Sequence, residues 1–467
     1  MRSPASLAPW LALLAGCASA AAAPQPDPNP QLARNIFKEL VELNTTQSVG
    51  DTHKAAQAMA ARLVAAGIPA ADVRVFKTGP KRGNLVARLR GTGKRKPLML
   101  LAHLDVVEAK REDWTTDPFK LVEKDGFYYG RGTSDDKAMA AVWVANLIRY
   151  KKEGYRPDRD LVLVLETDEE ISDRDGLGIT WLIKNQRQLI DAEYALNEGS
   201  RVATKDGKPL WNAVQTTEKL FQSFWLEVRN SGGHSSQPRK DNAIYQLAAG
   251  LGRLEKLQFP VQINETTRRY FETMSAFEAG QVAADLKAVA AAKPDLAAAE
   301  RLSAQAPYNA QLRTTCVATR LEGGHADNAL PQLARAMINC RIFPGQTVED
   351  VQQTLQRTLA DPQIAITPIA RDTGSAPSPI HKELFAAAEQ LTKKYWPGIP
   401  VMPTMSSGAT DGRFLRNAGI PTYGHSGIAA DLFESRAHGK DERIAVESFE
   451  QSREYLYELV KLLSGGA

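Results

Sequence analysis

Apolar positions along the chain follow two rhythms. Residues 32–66, including 55–66, carry them at helical spacing with polar faces between. Residues 73–76 and 84–90 read as strands. Leu98-Met99-Leu100-Leu101-Ala102 is an unbroken apolar run, the mark of a strand buried on both faces, and 161–165 is a second. Residues 194–196 make a third strand, and 137–150 a helix between the first two. Strands alternating with helices predict an α/β fold, a mostly parallel sheet with helices on both faces.

The rhythm changes near residue 214. Residues 220–228 alternate as a half-exposed strand and 242–256 are helical. An Ala-rich helical insertion follows at 278–302, then paired strands at 314–321 and 334–343, a helix at 348–359 and a closing strand at 364–369. This β-α-β-β-α-β order is a self-contained antiparallel sheet backed by helices. It predicts an inserted domain over 215–372, between catalytic segments 31–214 and 373–467. The first pattern resumes with helix 381–395, strand 420–423 and helix 446–463.

Composition narrows little. The 467 residues, 43% hydrophobic and 24% charged, are ordinary for a globular chain of two or three domains. With 58 basic and 54 acidic residues the net charge is +4, and nucleic-acid binding is not indicated. Lys94-Arg95-Lys96 after Gly91-Thr92-Gly93 reads as a solvated turn, since no Gly-x-x-x-x-Gly-Lys-Ser/Thr pattern is present.

The N-terminus reads as a targeting segment over 1–23: Arg2, an apolar stretch at 7–15 and the small residues Ala18-Ser19-Ala20. Leu14-Ala15-Gly16-Cys17 resembles the lipobox of bacterial lipoproteins, so a lipid anchor at Cys17 and free periplasmic release are both open. The Pro-rich residues 24–30 read as a tether. No later run reaches the roughly 18 apolar residues of a membrane span. Cys316 and Cys340, too few for a Cys-rich zinc site, fit either a disulfide in an oxidising compartment or two buried thiols.

Chemistry concentrates at strand ends. In an extended strand, residues two apart share a face, so His103 and Asp105 can aim at one point. Asp168-Glu169-Glu170 ends the 161–165 run, and Asn197-Glu198-Gly199 ends the 194–196 run. Asp135 follows Gly130-Arg131-Gly132 and precedes a helix. Alone, each is a hydrogen-bonded pair, a solvated loop or a turn. Together they lie beyond the carboxyl ends of successive strands, where ligands gather in open α/β sheets. One imidazole with several carboxylates suits a divalent cation such as zinc.

These stretches resemble the dizinc exopeptidases and amidases that include aminoacylase, acetylornithine deacetylase, succinyl-diaminopimelate desuccinylase, glutamate carboxypeptidase, carnosinase and bacterial dipeptidases. The matched residues are Ala102-His103-Leu104-Asp105, Trp114 with Asp117-Pro118-Phe119, and Gly130-Arg131-Gly132-Thr133-Ser134-Asp135-Asp136-Lys137. Asp168-Glu169-Glu170, Asn197-Glu198-Gly199, Gly232-Gly233-His234-Ser235 and Asn339-Cys340-Arg341 continue the set. Ser407-Gly408-Ala409-Thr410-Asp411 and Ala437-His438-Gly439-Lys440-Asp441-Glu442-Arg443 complete it.

The resemblance implies two divalent metal ions, most simply zinc. Asp135 would bridge them, standing two residues before Lys137 and followed by a cis peptide bond. His103 and Glu198 would complete one site, Glu170 and His438 the other. Glu169 would be the general base, and Asp105 would orient the His103 imidazole. His234 would close over the site as a lid histidine, in dimeric relatives from the partner subunit. Arg341 would hold the substrate carboxylate, helped by Asn328 and the backbone at Gly408. His425 competes with His438, which the following Asp441-Glu442-Arg443 favours. Ser235-Ser236 beside His234 does not make a triad, and no Gly-x-Ser-x-Gly elbow is present.

The expected activity is hydrolysis of a peptide or N-acyl amino acid with a free carboxylate, by a metal-bridging water and a Glu base. The enlarged inserted domain and the exported location favour dipeptidase or carboxypeptidase action over deacylation. A non-catalytic binding protein on the same fold is the alternative, and homodimerisation through the inserted domain a further expectation.

Overall fold

In a computed structural model of the chain, residues 29–369, 373–432, 434 and 436–465 are described. The expected leader, Cys17 and most of the tether lie outside these residues. Asn29 and Pro30 of that tether instead open the helix Asn29–Glu42, where proline in the first turn costs no hydrogen bond. The helical stretch predicted at 32–66 breaks in two. Asp51 caps the second helix, Thr52–Ala65, its side chain accepting from the Lys54 N–H at 2.8 Å.

Among the described residues the large sheet has ten strands. At its centre Leu98–His103 lies between Leu161–Glu166 and Tyr194–Asn197, parallel to both. All three are buried along their length, as unbroken apolar runs require. Alternate residues divide between two cores. Leu98, Leu100, Ala102, Leu161, Leu163 and Leu165 face the helices Asn29–Glu42, Lys137–Lys152 and Val446–Ser464. Met99, Leu101, Val162 and Val164 face the opposite layer, with Ile179, Leu182 and Leu415. The first and last helices of the described residues, Asn29–Glu42 and Val446–Ser464, meet where Phe37 stacks on Phe449 with centroids 4.7 Å apart.

Among the strands that escape the sequence pattern, two regions extend the large sheet beside the central strands. The hairpin Val202–Lys205/Lys208–Glu218 joins the large sheet, and Val401–Ser406 pairs parallel to its second arm. Pro403, Thr404 and Ser406 disguise the latter as loop.

The second sheet has four antiparallel strands, in the order Thr315–Gly323, Leu333–Ile342, Leu220–Arg229, Ala365–Ile369. Phe224, Leu226, Ala336, Ile338 and Ile342 turn one face toward the helices Ala243–Leu254 and Val348–Leu359. Phe221, Trp225, Met337 and Arg341 alternate with them on the other face. Cys316 and Cys340 are cross-strand partners and form a disulfide. Only Lys219 separates the large-sheet strand ending at Glu218 from the second-sheet strand beginning at Leu220. That side chain is fully buried and donates to the Arg313 carbonyl at 2.6 Å.

The Ala-rich insertion at 278–302 forms the short helices Gly280–Ala290 and Leu296–Leu302, flanked by Glu265–Met274 and Ala306–Leu312. Phe271, Leu286, Val289 and Leu312 close a separate core with Met402 of the large sheet. The insertion therefore packs on the large sheet, although its chain neighbours build the small one. No helix of the described residues is long and apolar enough to cross a membrane.

Candidate metal centre

His103 is the last residue of the central strand, opposite Glu166. Its Nδ1 lies 3.0 Å from the backbone carbonyl of Asp105, which fixes the ring and leaves Nε2 facing Asp135. The Asp105 carboxylate stands farther off, at 3.6 Å. It accepts instead from the Glu169 and Glu170 N–H groups, at 3.3 and 3.1 Å. Asp105 thus orients the imidazole chiefly through its main chain, and its carboxylate holds the neighbouring acidic turn. That turn, Glu169–Ile171, follows Asp168 at φ 72°. Arg82 anchors Asp168 from below at 2.8 Å.

The peptide bond between Asp135 and Asp136 is cis. Asp135 Oδ1 lies 3.0 Å from His103 Nε2, and Oδ2 lies 3.1 Å from His438 Nε2. His438 Nε2 is also 2.9 Å from Glu170. Two sets of ligand atoms result: His103, Asp135 and Glu198, then Asp135, Glu170 and His438, each within 4.8 Å. Asp135 belongs to both and Asp136 to neither. Glu169 belongs to neither set, yet it follows Asp168 and precedes the ligand-positioned Glu170.

The electrostatics suit cations. Burial, then the Asp135 charge, pushes Glu198 well above the usual carboxylate range. Burial also raises Glu170, against its hydrogen bond to His438. Burial and the Glu198 charge push Glu169 up. His103 would be lowered by burial, but the nearby carboxylates of Asp105 and Asp135 hold it well above its ordinary value. Hydrogen bonds to Asp135 and Glu170 raise His438 to about 10. Carboxylates this close need protons or cations to screen them. Two imidazoles and three carboxylates are donors for borderline-to-hard divalent ions, so the residues fit the expected metals.

His425 is not part of the site. It is fully buried, with Nδ1 2.8 Å from the Ala213 carbonyl and Nε2 2.6 Å from the Tyr455 hydroxyl. Burial lowers it to about 4, so it serves as a neutral core group.

The remaining candidates form two other groups. His234 sits on an exposed two-residue strand paired with Ala329–Leu330, its Nδ1 2.8 Å from the Ser236 hydroxyl. The Asn328 carbonyl accepts from the adjacent Ser235 N–H at 3.0 Å. Arg341 donates to the Ser407 carbonyl at 2.9 Å, and its guanidinium lies 4.7 Å from the Phe221 ring centre. Gly408, next in the chain, donates its N–H to the Ser406 hydroxyl at 3.0 Å. Their hydrogen bonds run within these groups.

Sequence reasoning passed over Arg131 and Glu442 as functional groups. Glu442 is fully buried and accepts from the backbone N–H of Asp135 at 3.1 Å. Both lay within quoted motifs, but nothing local in the sequence pairs them. A cavity of about 570 Å³ opens beside Asp135 and Glu198 and reaches Phe127, Trp396 and Ile428.

The family model of peptidase family M20/M25/M40 matches residues 99–462. The N-fatty-acyl-amino acid synthase/hydrolase PM20D1 of Xenopus tropicalis is 32% identical over 377 residues, covering 78% of this chain and 72% of that one. A probable carboxypeptidase S-like 2 of Dictyostelium discoideum is 27% identical over 388 residues, covering 78% and 71%. Among solved structures, the M20 family metallo-carboxypeptidase Sso-CP2 of Sulfolobus solfataricus superposes with a TM-score of 0.69 at 19% identity, covering 92% of this chain and 98% of that one.

Proposed function

We propose that this chain, which belongs to peptidase family M20/M25/M40 and is a hydrolase of peptide or amide bonds, cleaves the amide next to a free carboxylate in small substrates. The observation that carries this reading is Asp135, whose two oxygens reach His103 and His438 separately. Zinc is the proposed cation, held by His103, Asp135 and Glu198 on one side and by Asp135, Glu170 and His438 on the other. When bound, such a pair supplies Lewis acidity and a water of lowered pKa.

The chain's own groups would do the rest. Glu169 takes a proton from the attacking water and returns it to the leaving nitrogen. Burial among acidic neighbours suits it to hold that proton between the two steps. His234 donates to the oxyanion when the second sheet closes as a lid, from the same chain or from a partner subunit in a homodimer. Arg341 pairs with the substrate carboxylate, with Asn328 and Gly408 beside it. The cavity reaching Phe127, Trp396 and Ile428 takes the acyl side. We place the enzyme in the periplasm, released or lipid-anchored at Cys17.

N-acyl amino acids and carboxyl-terminal peptide bonds are both within this reading. Similarity to the N-fatty-acyl-amino acid synthase/hydrolase favours the former, and similarity to the carboxypeptidases the latter. A panel of dipeptides and of N-acyl amino acids with graded chain length, scored by kcat/KM, tests it. We expect hydrolysis only where a free carboxylate adjoins the amide. Fewer than one zinc per chain, with no turnover in added zinc or cobalt, would overturn the enzyme reading.

A further inference from the structure

The two halves of the metal centre are built differently. His103 ends the central strand and Glu198 directly follows another, so the sheet itself sets their positions. His438 instead lies on an irregular loop at φ 62°, with its side chain 57% exposed. Asp135, which must serve both halves, sits on the loop before helix Lys137–Lys152. To keep these two ligands at their spacing, some group must join the two loops.

Arg131 and Glu442 do. They are 311 residues apart in sequence and form an ion pair at 2.6 Å, with side chains 3% and 0% exposed. A buried ion pair is by itself weak evidence for stability, since apolar residues of like volume often serve as well. What distinguishes this pair is where its other hydrogen bonds go. Glu442 accepts from the N–H groups of Gly132, Ser134 and Asp135 at 3.0, 2.7 and 3.1 Å, and from the Ser134 hydroxyl at 3.0 Å. One carboxylate therefore gathers the turn that presents Asp135. Arg131 donates to the carbonyl of Gly439, the residue after His438, at 3.0 Å. Trp114 covers the guanidinium at 5.0 Å. Thr115 donates its N–H and hydroxyl to Asp441 at 2.9 and 2.8 Å, tying the same segment to the His438 loop. Gly132 lies at φ 86°, and a Cβ there would meet Val106 at 2.9 Å, so the turn has little room to shift.

We propose that the Arg131–Glu442 pair is a positioning device that holds Asp135 against the His438 loop and governs retention of the cation on the His438 side. The His103 side shares Asp135 but takes its other two ligands, His103 and Glu198, from strand ends, and depends on the pair less. This rests on the two-cation reading above. Outer partners of metal ligands typically change affinity by about 10- to 100-fold when removed. Here the change falls on one cation of the two.

The test is cobalt(II) titration of the cation-free full chain, followed by visible absorption, with elemental analysis after gel filtration. Wild-type protein should retain two cobalt ions. Glu442→Gln should retain one, its weaker constant raised about 10- to 100-fold, and should match His438→Ala in stoichiometry and spectrum. If Glu442→Gln does not fold by circular dichroism, Arg131→Lys reads the same constant. It keeps the charge but loses the planar fork that reaches Glu442 and Gly439. Two ions held at wild-type affinity by the folded variant, or both weakened equally, would overturn the proposal. Wild-type protein holding fewer than two would instead remove the two-cation reading.

Discussion

At the scale of single residues, adjacent carboxylates divide the work by what their neighbours do. Glu170 is within 2.9 Å of His438, whereas Glu169 joins neither ligand set. Glu169→Gln should therefore keep both cations and lower kcat by about 10²- to 10⁴-fold, the usual worth of a positioned base. Elemental analysis beside turnover checks this, and full activity in a metal-replete variant would refute the assignment. The imidazoles predict a pH effect. In cation-free protein His438 is raised from 6.5 to about 10 by Asp135 and Glu170, so a cation must displace its proton. Cation affinity should rise between pH 6 and 9, by about tenfold per unit for each proton released. For the cation-free fold the sign is opposite. The stability from protonated His438 is complete below 6.5 and lost as pH rises through about 10. Calorimetry in buffers of differing ionisation heat measures the proton release, and a flat affinity profile would contradict it.

At the scale of elements, strand ends do the presenting and turns do the adjusting. The unbroken runs 98–102 and 161–165 announce buried strands, and their carboxyl ends carry His103 and the Asp168-Glu169-Glu170 turn as expected. The role of Asp105 was less legible. Its spacing from His103 suggests a contact between side chains, but the strand ends at His103 and the chain turns there. The main-chain carbonyl thereby comes nearest the ring, freeing the carboxylate for two N–H groups of the next turn. In the second sheet, the disulfide joins the exposed strand Thr315–Gly323 to its neighbour across a separation of 24 residues. Closing a loop of that size is worth about 3 kcal/mol in the chain-entropy account. Reduction should lower the unfolding midpoint in denaturant while bound metal stays constant, and loss of metal on reduction would show that the two regions are not independent.

At the scale of the whole molecule, the candidate site spans chain segments far apart. The candidate cation ligands stand at strand ends of the large sheet and on loops beside them, while Arg341 belongs to the second sheet and meets the large-sheet loop at Ser407. Arg341→Ala should raise KM for carboxylate-bearing substrates by roughly 10-fold or more, the scale of one lost charge-assisted hydrogen bond. The corresponding amides should be affected much less. Equal KM changes for acids and amides would remove Arg341 from substrate recognition.

The sequence by itself determined the fold class, the order of the central buried strands and the main helices, and which residue types stand at the strand ends. These follow from neighbours along the chain: apolar runs, helical spacing and the residues that terminate them. Only the tertiary structure decided that the helices of the Ala-rich insertion pack on Met402 of the large sheet, that His425 is a core group, and that Glu442 holds the Asp135 turn. Each depends on which distant segments the sheet order brings side by side. A pair such as Arg131 and Glu442, 311 residues apart, leaves no periodic trace, because its partnership exists only once the intervening chain has folded.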